Sequence, residues 1–217
     1  LTFNRYLELQ YNNLGWFCIK CAERAYNNKN GILAVVMKKL FKNDISIWQF
    51  AGFAVVSFLG TILHFLYDWT GGNTFVALFS GVNESTWEHM KLLFFPMFLF
   101  AIVQSFFIGK EYENFWCIKL GGTLLGLVAI PVIFYTLRGV FGTTPDWINI
   151  AIFFVSATIA FVWETRQFNK GSMPCRAQKW AVVALCLIAV AFWVFTFMPP
   201  KISLFEDPLD GSFGISK

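Results

Sequence analysis

Charge is scarce in this chain. Asp, Glu, Lys and Arg supply 14% of its 217 residues, where soluble domains carry about 25%. A water-soluble globule is thereby disfavoured. The net charge of +4 gives no nucleic-acid surface either, because the basic residues flank apolar stretches and never form one dense stripe. Histidine is scarcer still, with two residues, His64 and His89. No H-E-x-x-H, G-x-S-x-G or comparable catalytic motif occurs. Cysteine is thinly spread at Cys18, Cys21, Cys117, Cys175 and Cys186. Cys18 and Cys21 form one C-x-x-C with no second pair and no histidine near it, short of the four ligands of a closed zinc site. The pair reads as two small side chains on an N-terminal helix. No internal repeat is visible and no charge falls at mid-span, so the marks of a secondary carrier are missing. The first strong apolar segment begins too late for a secretory signal.

Apolar residues dominate instead. They make up 57% of the chain, with 27 Phe and nine Trp, and the mean hydropathy is +0.57. One core cannot bury so many large rings, but lipid can solvate them. The expected fold is all-α, a polytopic membrane helix bundle of about five transmembrane helices. A span needs about 20 apolar residues. Residues 45–67, 92–109 (extended upstream), 115–137, 147–163 and 180–198 qualify. Trp and Tyr stand near many of their ends, as interfacial anchors do. Pro131 falls inside the third span, a position that favours a kink, and Pro199-Pro200 closes the fifth.

The orientation follows from Lys and Arg. With the N-terminus in the cytoplasm, only Lys91, Arg138, Lys201 and Lys217 of the 17 basic residues lie outside. The reading is N-in and C-out. Residues 1–44 form a basic cytoplasmic and interfacial segment. Within it Ile32, Val35, Val36, Leu40 and Phe41 line one face of an amphipathic helix, beside Lys38, Lys39 and Lys42, as in an interfacial anchor. Residues 45–200 are the transmembrane domain, and residues 201–217 are an extracytoplasmic tail.

The outer face gathers the polar chemistry. GVNESTWEHMK, residues 81–91, holds Glu84, Ser85, Glu88, His89 and Lys91. Ser85-Thr86-Trp87-Glu88 fits a capping box, with Ser85 receiving the Glu88 N–H and the Glu88 carboxylate reaching back to the Ser85 N–H. The second span then starts at Ser85. Asn83-Glu84-Ser85 also fits a glycosylation sequon. Ser57, Thr61, His64 and Asp68 recur at helical spacing near the end of the first span, and such a face avoids lipid. Asp68 can orient the His64 imidazole or join it as a metal ligand. A plain hydrogen-bonded interfacial histidine is the alternative. Residues 74–79 are apolar but too short to span, and lie either at the interface or as a shielded re-entrant segment. In the tail, Phe205 and Phe213 are placed to pack over the helix ends, and Asp207 and Asp210 to assist a cation.

Three stretches carry a resemblance: HFLYDW at 64–69, GVNESTWEHMK at 81–91 and MPPKISLFEDPLDGSFGI at 198–215. Over residues 45–215 the chain resembles a family of small bacterial multi-pass membrane proteins classed as a domain of unknown function. The resemblance implies a bacterial plasma membrane. It carries no activity and no catalytic residue.

Three functions compete. The first is a membrane-embedded enzyme, metal-assisted, on lipid-linked or envelope substrates. Here Glu84, Glu88 and His89 are the catalytic candidates, and His64, Asp68 and His89 the ligands of a divalent metal such as zinc. Lys91 and Arg138 hold an anionic headgroup or small-molecule substrate. The second is a small-ligand transporter, channel component or sensor. The third is a non-catalytic accessory protein whose polar cluster seals helix ends and binds a protein partner.

Overall fold

The computed structural model describes residues 45–142, 145–171, 175 and 177–215. The expected N-terminal amphipathic helix and the Cys18–Cys21 pair lie outside them. Among the described residues there are six helices: α1 (Ile45–Trp69), α2 (Thr74–Ala77), α3 (Thr86–Ile108), α4 (Phe115–Phe141), α5 (Asp146–Lys170) and α6 (Gln178–Phe197). All except α2 are long and apolar enough to cross a membrane. The protein is a multi-pass membrane protein of all-α architecture. The apolar surface confirms the solvent it needs. Phe50, Phe58, Phe106 and Trp180 stand 66 to 80% exposed on the helices, which only lipid makes favourable.

Helices α1, α3, α4 and α5 pack in that cyclic order, and α6 leans against α4 and α3. Between the four lies a core of Val56, Leu93, Met97, Ile130, Phe153 and Ala157 with their neighbours. Phe94, Leu127, Leu185 and Phe192 join α6 to the bundle. The long helices end close to the expected limits. Helix α5 is the exception, continuing through Arg166 to Lys170, where Gly171 at φ +60° ends it. Polar residues extend a helix beyond its apolar span because their backbone bonds remain intrahelical. Helix α4 carries Pro131, as expected, and α3 carries Pro96.

Lys119 is not the flanking surface charge that the sequence suggests. It is buried in the second turn of α4, its Nζ 2.5 Å from Glu164 Oε2 on α5. Four rings, those of Phe100, Phe115, Phe161 and Phe168, lie 5.6 to 5.9 Å from the ammonium, within cation–π reach. Gly122 makes room for the pair, since a Cβ there would stand 2.4 Å from Glu164 Cγ. Nearby, Cys117 of α4 is joined by a disulfide to Cys175 in the α5–α6 connection.

The opposite end of the bundle is built from the α1–α3 connection and the tail. Gly71 and Gly72, both at positive φ, turn the chain out of α1. Asn73 caps α2, its Oδ1 2.9 Å from the Phe75 N–H. The short apolar segment thus becomes one turn of helix, with Ala77 fully buried. Ser80 then anchors the return to α1. Its hydroxyl donates to the Leu63 carbonyl and accepts from the Tyr67 N–H at 3.0 Å. In the tail Glu206 and Phe213 form an antiparallel bridge. Gly214 sits at φ +66° where a Cβ would lie 2.9 Å from the Thr196 carbonyl, so glycine lets the tail lie against the end of α6.

Candidate functional site

Three chain segments converge at this end. His64 comes from the penultimate turn of α1. Glu84 comes from the loop before α3, and His89 from the first turn of α3. Ser85 is the N-cap of α3, its hydroxyl 3.4 Å from the Glu88 N–H. The cap fixes the start of the helix and with it the direction of His89. The loop is held from outside as well. Asn83 Oδ1 accepts from the Ser85 N–H at 3.0 Å, and Asn83 Nδ2 donates to the Gly214 carbonyl at 3.1 Å. The Asp207 carboxylate accepts the Glu84 N–H at 2.9 Å. The Trp87 N–H donates to the Leu204 carbonyl at 3.0 Å. Phe205, nearly buried, packs its ring 4.7 Å from that of Trp87.

His64 Nε2 lies 3.6 Å from Glu84 Oε1, and His89 Nε2 lies 3.5 Å from Glu84 Oε2. One ligand atom from each of the three residues falls within 4.8 Å of the others. His89 Nδ1 is 2.9 Å from the Ser85 carbonyl oxygen. That oxygen can only accept, so Nδ1 bears a proton, and in the tautomer this bond selects Nε2 is the nitrogen that can coordinate a metal. A positive charge between the imidazole nitrogens and the carboxylate, whether a metal ion or a proton, makes this approach favourable. The separations are also too long for direct hydrogen bonds. Ligand atoms about 2.1 Å from a tetrahedral ion stand about 3.4 Å apart, close to the two His–Glu84 separations, while the three ligand atoms together span up to 4.8 Å. The carbonyl bond to Nδ1 matches the outer-shell partner that orients metal-bound histidines. Two imidazoles and one carboxylate also match the donor set of a catalytic zinc, with a fourth position left for water or substrate.

The remaining residues singled out from the sequence divide. Glu88, expected as a catalytic carboxylate or as the reciprocal arm of the capping box, does not reach back to the Ser85 N–H. It is buried in an ion pair with Lys91, and its Oε2 accepts the Val82 N–H at 3.2 Å. The Ser85 N–H goes to Asn83 instead. Lys91, expected to meet a headgroup, has no exposed surface. Besides Glu88 it donates to the Ala77 carbonyl at 2.8 Å and the Thr196 hydroxyl at 2.9 Å. Its three ammonium protons are therefore used, tying α2, α3 and α6 together. A charge buried among apolar helices needs such partners.

Asp68 is exposed and stands outside the group of three ligands. Arg138 is exposed beside the site, its guanidinium 5.9 Å above the Phe134 ring. Phe134 lines a narrow cleft with Glu84, His89 and Asn149. Asp207 and Asp210 bind backbone. Asp207 Oδ1 also accepts the Leu209 N–H at 2.8 Å. Asp210 accepts the Ser212 N–H, and Ser212 holds its carboxyl below the ordinary value. Sequence reasoning missed Asn149, whose buried Oδ1 has no hydrogen-bond partner. A polar residue one helical turn inside an apolar span was the available signal. It also missed Thr196, which reads as an ordinary helix residue until α6 is placed against α3.

Residues 37–215 match a family of unknown function, DUF6512. The chain belongs to that family. The match begins eight residues before the stretch read as a resemblance, and it reaches through the tail that clamps Glu84. No curated protein matches the chain, and no solved structure does.

Proposed function

We propose that this protein is a membrane-embedded, metal-assisted enzyme acting at the extracytoplasmic face on lipid-linked or envelope substrates. His64, Glu84 and His89 are its metal ligands. The observation that carries the reading is the convergence of one ligand atom each from His64, Glu84 and His89 within 4.8 Å, with His89 Nδ1 held by the Ser85 carbonyl. The basic asymmetry of the sequence supports placing this end outside.

A bound zinc would lower the pKa of a coordinated water to about 7 and polarise a carbonyl or phosphoryl oxygen. The chain's own groups do the rest. Ser85 and Asp207 fix the loop that carries Glu84. The Ser85 carbonyl holds the His89 tautomer. Side chains of His64 and Glu84, 27% and 36% exposed, leave the centre open to a substrate. Arg138 supplies positive charge at its margin.

The test is calorimetric titration of the purified, metal-stripped protein with Zn²⁺. One ion per chain is expected. His64→Ala, His89→Ala and Glu84→Gln should each weaken binding by roughly 100-fold or more, beyond the 10- to 100-fold typical of outer-shell changes. Affinity unchanged in all three variants refutes the site.

A further inference from the structure

We infer that the cleft between α1 and α5 is a lateral port through which one acyl chain of an anionic membrane amphiphile reaches the His64–Glu84–His89 centre. The inference rests on the metal reading above and names the substrate class for that site.

The cleft has His64 and His89 at one end, and the rest of its lining is largely apolar. Its floor, made by Gly60, Leu92 and Phe153, is buried. The rim is not. Thr61, Phe65, Ile150 and Phe154 are exposed, and they belong to two helices long and apolar enough to span. The opening therefore faces hydrocarbon, not water. The volume is about 80 Å³, far below the roughly 300–1,000 Å³ of pockets that enclose a whole small molecule. Such a cleft accepts a short section of chain whose remainder stays in the bilayer. A water-soluble substrate would leave an apolar mouth facing lipid unused.

The polar side fits an anionic head. Asn149 lines this cleft and the narrower one beside Glu84. Its unpartnered Oδ1 can accept a hydroxyl or amide proton from a head group held between them. Phe134 leads from the narrow cleft to Arg138. No carboxylate among the described residues comes within ion-pairing distance of Arg138. On its other side Arg138 shares a polar cleft of about 260 Å³ with Glu206 and Asp207, whose negative charge leaves the Phe134 side of Arg138 for an anionic head. An acyl chain at α1/α5 and a phosphate near Arg138 would place the intervening linkage at the three ligands.

The experiment uses the full chain, zinc-loaded, in phosphatidylcholine nanodiscs. The probe is phosphatidic acid with a diazirine midway along one acyl chain. After irradiation, adducts are mapped by peptide mass spectrometry. They should concentrate on residues 60–65 and 150–154, about tenfold above comparably exposed positions at the same end of the bundle, Val132 and Val194. Ile150→Trp should plug the port and abolish the enrichment while zinc titration stays unchanged. Ile150 is 57% exposed, so the added bulk is tolerated. Arg138→Gln should remove the preference for phosphatidic acid over a phosphatidylcholine probe. Adducts spread in proportion to lipid exposure overturn the port, whatever the zinc result. A preference that survives Arg138→Gln overturns the headgroup assignment. A chain that binds no zinc overturns the metal reading, and the adduct map still decides the port.

Discussion

Removing Lys91 separates the structural role of the Glu88–Lys91 pair from a catalytic one. Lys91→Met keeps most of the side-chain volume but leaves the Glu88 carboxylate with no cation in a buried site. Breaking a buried pair by deleting one partner costs about 3–5 kcal/mol. The Ala77 carbonyl also loses its ammonium donor, as the 2.8 Å bond shows, which adds about 1 kcal/mol. For a chain of this size each kcal/mol lowers Tm by about 2–4 °C. The single variant should therefore melt on the order of 8–24 °C below the parent in the same detergent. Glu88→Gln with Lys91→Met removes both charges, and such replacements are often nearly neutral. The double variant should recover most of the loss. The assay is intrinsic-fluorescence melting, with zinc titration on the same samples. If Lys91→Met melts within about 1 °C of the parent, the buried-pair reasoning is refuted, and a role in substrate contact regains its place.

Other outcomes follow from the same geometry. Ser85→Ala should cost about 1 kcal/mol, the usual value of an N-cap, read as a lower Tm. Asp207→Ala should weaken zinc binding about 10- to 100-fold by freeing the Glu84 loop, while Asp210→Ala should leave affinity unchanged. Equal effects of the two would deny the clamp. Zinc at about 100 times its Kd should add about 2.7 kcal/mol of stability, removable by a chelator. That gain should shrink in acid as protons compete for the imidazoles. Gly122→Ala should cost about 1–3 kcal/mol through overpacking against Glu164. A single cysteine at Leu209, in a background free of other cysteines, should react with an impermeant thiol reagent on intact cells. Labelling only after lysis would invert the proposed orientation.

The sequence by itself determined the solvent, the number of spans and the start of α3. Each rests on local physics. Hydrocarbon thickness sets the length of an apolar run, and a serine just before such a run, with a glutamate three residues on, is a local signal of a helix start. The sequence also marked His64, Glu84 and His89 as candidates, because polar groups near lipid stand out. What it left open was the partner of each charge. Asp68 is four residues from His64 and looked like its natural companion, yet Glu84 faces both imidazoles from a loop that α1 and α3 bring alongside. Glu88 and Lys91 looked accessible because they begin a helix, yet Thr196, 105 residues beyond Lys91, closes over them. Lys119 looked like a flanking charge until α5 delivered Glu164. Only tertiary structure decides these pairings. A buried charge is tolerated where a distant residue answers it, and sequence spacing along one helix does not reveal which neighbour the fold will supply.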